Sequence, residues 1–178
     1  MPANHPRGPL GRALDGLYDV TAALGAVAMV LLLAMVLLSV VSRQVGFNVA
    51  GIDAYAGYMM AGAGFLAMAH TLKRGEHIRV TLLLASLKGR SKHALEVWAL
   101  FAASLLALLS AFYSCKLAWQ SYTFHDISTS NDATPLWLPQ LSMAIGAVVL
   151  AIAFVDELVL EIRGERFVPV SDEATRNE

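Results

Sequence analysis

Side chains that could ligate a metal, hold a haem or relay protons are few and far apart in this sequence. The single cysteine, Cys115, excludes an internal disulfide, a CxxC redox pair and a cysteine-based zinc site. The five histidines are scattered and form no ligand pattern. A proton relay in a membrane needs carboxylates within apolar segments, whereas Asp53 and Glu96 fall at the edges of such segments. The residue types therefore predict no catalytic residue, no cofactor and no metal site.

The sequence contains four long segments without charged residues, and these are the elements that would position any functional side chain. They cover residues 20–42, 54–72, 97–115 and 133–155. About 20 residues of helix cross the ~30 Å hydrocarbon core of a bilayer. Only 15% of the residues are charged, whereas soluble domains average about 25%. The sequence therefore predicts an all-α membrane protein with four transmembrane helices within residues 20–155 and tails at residues 1–19 and 156–178.

Lysine and arginine are divided unequally between the two sides that four spans would define. The two tails and the connection between the second and third spans hold eleven of them, and the other two connections hold only Arg43 and Lys116. Positive residues accumulate on the cytoplasmic side of membrane proteins, so both termini are expected in the cytoplasm. The net charge of −1 and the isoelectric point near 6.5 indicate no nucleic-acid partner.

The connection between the second and third spans combines positive charge with a short apolar patch. A helix over residues 78–93 would align one apolar stripe that consists of Val80, Leu83, Leu84 and Leu87. Ten residues rise only ~15 Å, which is too short to span a bilayer. The pattern predicts an amphipathic helix at the cytoplasmic interface, with an ordinary charged loop as the alternative. The residues expected to anchor the protein at the membrane surface are Arg74, Arg79, Lys88, Arg90, Lys92, Trp98 and Trp119.

The second span contains small residues that suit close helix contacts. Gly57 lies four positions before Ala61, and Gly62 and Gly64 are close by. In lipid, close packing drives helix association, and small faces permit it. These residues pack either inside the chain or against another protein. Because the spans carry no chemistry of their own, binding of another membrane protein is the favoured interpretation.

Several short motifs resemble those of one family of membrane proteins. The first span closes on SRQVGF, and Asp53 opens the second span. That span ends in a basic-Gly-x-His-Ile block, KRGEHIRV, and the fourth span follows TPLWLP. Over residues 14–164 the chain resembles the small membrane subunit of TRAP (tripartite ATP-independent periplasmic) transporters, the DctQ family. Thr81 stands where the family often has an aspartate.

The resemblance implies a non-catalytic scaffold subunit in the bacterial inner membrane. In such systems a periplasmic binding protein delivers an organic anion, a carboxylate, and a large multi-span subunit carries it across with sodium. The small subunit packs against the large one, so these two proteins and membrane lipids are the expected partners. The candidate assembly residues are Asp53, Gly57, Ala61, Gly64, Gly75, His77, Trp137 and Pro139.

Two other functions stay open from the residues alone. A self-sufficient small four-span carrier would need charged groups at depth, and the four segments have none. A haem-binding electron-transfer subunit would need facing histidines from different helices. His70 and His125 are expected on opposite sides of the membrane and would not meet.

Overall fold

The computed structural model describes residues 9–47, 49–73, 90–130 and 132–163, and these residues form four helices. Helix α1 covers Pro9–Val45, α2 covers Ile52–Lys73, α3 covers Arg90–Thr123 and α4 covers Trp137–Arg163. The only β pairing in these ranges is an isolated bridge between Ile127 and Pro135 in the α3–α4 connection. The prediction of an all-α chain with four helices is confirmed.

The helices form an open row and not a closed bundle. α1 packs on α2, α2 on α4, and α4 on α3, whereas α1 and α4 touch at few points. The row therefore consists of two antiparallel hairpins, which meet where α2 and α4 run parallel. At one end, here called the loop end, lie the connections 46–51 and 124–136. At the other, the tail end, α1 and α3 begin and α2 and α4 finish.

Each edge helix of the row buries one narrow stripe of mostly small residues. The buried positions recur every three or four residues, which is the seven-residue repeat of helices that pack in a left-handed supercoil. On α1 the buried stripe is Tyr18, Thr21, Gly25, Ala28, Ser39 and Ser42, and the half-buried Leu32 and Met35 continue it between Ala28 and Ser39; on α3 it is Leu100, Ser104, Ala107, Ala111, Ser114, Ala118 and Ser121. The rest of each edge helix is largely exposed.

Glycines permit the closest helix contacts in the row. A Cβ at Gly146 of α4 would lie 2.5 Å from the carbonyl carbon and oxygen of Phe65 on α2. A Cβ at Gly25 of α1 would lie 3.2 Å from the backbone nitrogen of Ala67, also on α2. The absence of a side chain at these two positions therefore lets both α1 and α4 approach the α2 backbone.

Three of the four helices in the described residues are long and apolar enough to cross a membrane. These spans are Gly11–Val45, His93–Thr123 and Trp137–Arg163. Their outward faces are apolar; Val30 is 67% exposed and Leu106 is 68% exposed. Apolar surface of this extent is unfavourable in water and suits a lipid environment. The remaining helix, α2, has 22 residues and is flanked by α1 and α4.

The helices of the structure do not begin and end at the same residues as the charge-free segments of the sequence. α3 begins at Arg90 and ends at Thr123, so residues 90–93 of the predicted interfacial segment belong to its first turn. The rest of that segment lies outside the described residues. α4 begins at Trp137, four residues after the fourth segment starts. Residues 133–136 are not helical because Ala133 has a φ of 48° and Pro135 takes part in the β-bridge.

Candidate assembly surfaces

Asp53 joins the first two helices at the loop end. Its carboxylate accepts hydrogen bonds from the Ser39 hydroxyl at 2.9 Å and from Arg43 Nη2 at 3.1 Å. Asp53 lies in the first turn of α2, where a negative charge also interacts favourably with the helix dipole. The Arg43 and Asp53 side chains are each 72% exposed, so in water their ion pair contributes less than about 1 kcal/mol. The predicted assembly residue Asp53 thus has partners within its own chain.

Asp132 connects the two hairpins at the same end. Its carboxylate accepts a hydrogen bond of 3.0 Å from the Tyr58 hydroxyl on α2. Burial alone would raise the pKa of Asp132, but hydrogen bonds with the Ser128, Thr134 and Tyr58 side chains outweigh it and lower the pKa to about 2. Gly51 has a φ of +78°, and a Cβ there would lie 2.6 Å from the Asp132 Cβ. The α3–α4 connection therefore rests directly on the start of α2.

A polar cavity of about 290 Å³ opens beside these contacts. Ser39, Ser42 and Arg43 of α1 line it, together with Ser130 and residues 49–54. Asp53, one of these lining residues, forms an ion pair with Arg43. The cavity therefore offers paired charges and hydroxyl groups at the surface of the loop end.

Lys73 forms the central contact of the tail end. Its ammonium group donates hydrogen bonds to Asp156 and, at 2.9 Å, to Glu157 Oε1, both on α4. It also lies 5.4 Å from the centre of the Tyr18 ring on α1, within the range of a cation–π interaction. The Lys73 side chain is only 9% exposed. One buried cation thus joins three helices, a contact that the sequence did not predict because Lys73 lies just outside its charge-free segment.

Two histidines at the tail end pair with acids on neighbouring helices. His70 Nδ1 of α2 lies 3.4 Å from Asp19 Oδ1 of α1, and His93 Nδ1 of α3 lies 3.1 Å from Glu161 Oε1 of α4. Glu96 joins the second pair, with ligand atoms of all three residues within 4.8 Å of one another. The sequence analysis did not anticipate this cluster, and the absence of a metal site stays a prediction. The spacing of His93 and Glu96, which puts them on one helix face, was the available signal.

The small residues of α2 divide into two groups. Gly62 packs inside the row, where a Cβ would lie 3.4 Å from the Ser142 hydroxyl of α4. Positions Gly57 and Gly64 have nothing within 4 Å of a Cβ, and Ala61 between them is half-buried. Gly57, Ala61 and Gly64 are therefore available on an outward face of α2. This face has space for a partner helix.

The predicted aromatic and proline positions lie near the ends of the helices. Trp98 is 67% exposed near the start of α3, and Trp119 is 70% exposed near its end. They are 21 residues apart, or about 32 Å along the helix, close to the thickness of the hydrocarbon core. Trp137 opens α4 and packs edge-on against Tyr122 with ring centres 5.7 Å apart. Pro139 is half-buried in the first turn of α4.

The basic segment before α3 is only partly described. The backbone of Arg90 and Lys92 belongs to the first turn of α3. The other predicted residues of this segment, Arg74, Gly75, His77, Arg79 and Lys88, lie outside the described residues. Their roles in assembly and surface anchoring stay predictions.

Long apolar helices, outward apolar faces, and polar contacts between helices that the described residues place at the two ends define a small membrane protein. Residues 32–164 match the family model described as "Tripartite ATP-independent periplasmic transporters, DctQ component". The chain belongs to this family and is the small membrane component of a TRAP transporter. The resemblance in the sequence motifs is thereby confirmed. Comparison with curated proteins gives no match.

Proposed function

We propose that the chain is a non-catalytic scaffold subunit of a sodium-coupled TRAP transporter that imports an organic anion, a carboxylate, delivered by a periplasmic binding protein. Membership of the DctQ family supports the transporter role. The polar side chains that pair across helices support the scaffold role, since Asp53, Lys73 and Asp132 each bond to another helix or connection of this chain. Such contacts stiffen the described part of the row, which suits a scaffold.

The proposed topology has four spans in the bacterial inner membrane. α2 is not one of the three candidate spans, but its 22 residues reach about 33 Å, and the flanking α1 and α4 would hold it at the same depth. The tail end would face the cytoplasm, because the tails and the α2–α3 connection carry most of the lysine and arginine. The loop end would then face the periplasmic binding protein.

The outward face of α2 is the proposed docking surface for the large transport subunit. The observation that carries this proposal is the open space at Gly57 and Gly64, which the chain's own helices do not use. Both glycines are exposed, with Met60 and Met68 on the same face. Small residues let a second backbone approach, and methionines adapt their shape to a partner. The face lies at the centre of the row, where neither edge helix obstructs it.

The test is purification of the transporter through a tag on the small subunit. Gly64→Leu and Gly57→Leu should each reduce recovery of the large subunit by about tenfold, because the new side chain occupies the space of a partner backbone. Ala34→Leu is the matched control, since it adds the same side chain at an exposed position of α1. Equal recovery from all three variants, with normal amounts of each small subunit in the membrane, would contradict the docking surface.

Two further measurements test the scaffold role itself. Vesicles that contain only this chain should show no uptake of a carboxylate, and vesicles with the large subunit alone should transport less than vesicles with both. Uptake by this chain alone would support the self-sufficient carrier. A haem absorbance band in the purified protein would support the electron-transfer alternative.

A further inference from the structure

The outer face of α3 carries three polar side chains towards the loop end, here called the polar stripe. Tyr113, Lys116 and Gln120 are three and four positions apart, so they lie on one side of the helix. Each is two positions from Ala111 or Ala118 of the buried stripe, which is about 200° around the helix. The polar stripe therefore points away from α4, at the free edge of the row. Tyr113 is 56% exposed, and the other two side chains are exposed as well.

The polar stripe has no polar partner within the described part of the chain. None of its three side chains makes a hydrogen bond or an ion pair there. Other polar side chains of α3 do, since Ser104 and Thr123 donate to carbonyl oxygens one turn earlier in the helix. Arg43, the other basic residue of the loop-end half, pairs with Asp53. The polar stripe is therefore available to a partner outside the chain.

The polar stripe begins near the membrane surface and runs inward. Lys116 lies three residues before Trp119, or about 5 Å deeper, and Tyr113 lies six residues before it, or about 9 Å deeper. Side chains of a helix tilt towards its N-terminus, and α3 begins at the tail end. The Lys116 side chain therefore leans towards the bilayer centre, and it has to turn back to reach the nearby headgroups. An ammonium group at this depth is unfavourable unless it is paired.

We propose that the polar stripe docks a membrane-spanning helix of another protein that carries an aspartate or a glutamate at this depth. The carboxylate would accept a hydrogen bond from the Lys116 ammonium, and such a bond between ionised groups is stronger than one between neutral groups. The Tyr113 hydroxyl and the Gln120 amide would bond to the same helix. Hydrogen bonds between helices are among the forces that drive association in lipid.

A second copy of this chain does not fit the polar stripe. Two copies related by a twofold axis along the membrane normal would present the same surface to each other, so Lys116 would face Lys116. The only acid between His93 and Thr123 is Glu96, at the tail end, and it lies too far away to pair with this lysine. The charge of the stripe therefore selects a different protein. This proposal depends on α3 spanning the membrane and not on the docking surface of α2.

The experiment is photo-cross-linking of the full-length chain in native membranes, with the photoreactive amino acid benzoylphenylalanine in place of Leu109. Leu109 lies four positions before Tyr113, on the side of the polar stripe, and is 52% exposed. The matched control is the same replacement at Leu108, which is 51% exposed but about 100° further around the helix. Position 109 should give a protein adduct, and position 108 should react mainly with lipid. Mass spectrometry of the adduct should find an aspartate or a glutamate within an apolar segment of the attached protein.

Variants of Lys116 test whether its charge holds the partner. Lys116→Met should reduce the protein adduct at position 109 by about tenfold, which is the strength of a polar contact between membrane helices, and Lys116→Arg should retain most of it. Lys116→Glu should abolish the adduct, and replacing the partner's acid with lysine should restore it. Immunoblotting of membranes establishes that each variant is present in normal amounts. Adducts with lipid alone, adducts with a second copy, equal protein adducts at positions 108 and 109, or an unchanged yield in Lys116→Met would each overturn the proposal.

Discussion

Gly146→Ala tests whether the central contact of the row depends on the absence of a side chain. The new methyl group would lie 2.5 Å from the Phe65 carbonyl carbon and oxygen, whereas ordinary contacts begin at 3.4 Å. The two helices would have to separate by roughly 1 Å. The obstructing atoms belong to the backbone and cannot rotate away, so we expect a packing cost near the upper part of the 1–3 kcal/mol range, about 2–3 kcal/mol.

Gly64→Ala is the matched control for this substitution. It makes the same chemical change on α2, but nothing lies within 4 Å of the added methyl group. Alanine also favours a helix over glycine by about 1 kcal/mol, and this gain applies to both variants. The difference between them therefore isolates the packing cost. We expect Gly146→Ala to be less stable than Gly64→Ala by about 2–3 kcal/mol.

The assay is reversible unfolding in mixed micelles, with helix content followed by circular dichroism as the fraction of denaturing detergent rises. If the free energy of unfolding falls with detergent fraction at the same slope in both variants, their free energies of unfolding can be compared directly. If Gly146→Ala unfolds at the same detergent fraction as Gly64→Ala, the close approach of α4 to α2 does not depend on glycine, and the reasoning is refuted.

Three further predictions concern charges and depth. Lys73→Met removes the cation that bonds Asp156 and Glu157 and should destabilise the protein by about 3 kcal/mol. Lys116→Met at an exposed site should cost less than about 0.5 kcal/mol, and equal unfolding curves for the two variants would contradict this. The pKa of Asp132 is lowered from 3.8 to about 2, so its contribution to stability is complete above about pH 4 and is lost as the pH falls towards 2. Asp132→Asn should therefore flatten the pH dependence of unfolding in that interval. A profile identical to that of the wild type would show that the Asp132 carboxylate does not stabilise the fold. In variants that retain only Trp98 or only Trp119, the tryptophan fluorescence should be quenched more by a spin label in the lipid headgroup region than by one at the end of an acyl chain. Stronger quenching from the acyl-chain end would place these residues in the hydrocarbon core and contradict an interfacial position.

The sequence predicted the helices well because the signal for each is local. A continuous apolar run of about 20 residues fits a helix and lacks the alternation of a barrel strand, and three of the four charge-free segments lie wholly inside helices of the structure. The start of α4 was predicted four residues early, because Ala133 and Pro135 are uncharged but take non-helical conformations. Charge alone could not separate a connection of this kind from a helix.

The contacts between helices were less predictable, since they depend on which helices are neighbours. Lys73 follows one apolar segment directly, and Asp156 and Glu157 follow another, but only the parallel packing of α2 on α4 brings them together. The glycines pose the same difficulty. Gly62 and Gly64 are two positions apart, yet one packs inside the row and the other is open. The sequence contains the small residues without indicating which of them already have neighbours.

Side-chain contacts join the two hairpins of the row at both the loop end and the tail end. On α2, the Tyr58 hydroxyl holds the α3–α4 connection at one end, and Lys73 holds α4 at the other. These two attachments are 15 residues apart on α2, or about 22 Å, and the contact of Gly146 with Phe65 lies between them. Sliding one hairpin past the other would stretch both attachments at once, so the row resists shear in the plane of the helices. Lateral pressure from the bilayer, or a force from an adjacent protein, would then move the row of four helices as a rigid unit before it changed the row's shape.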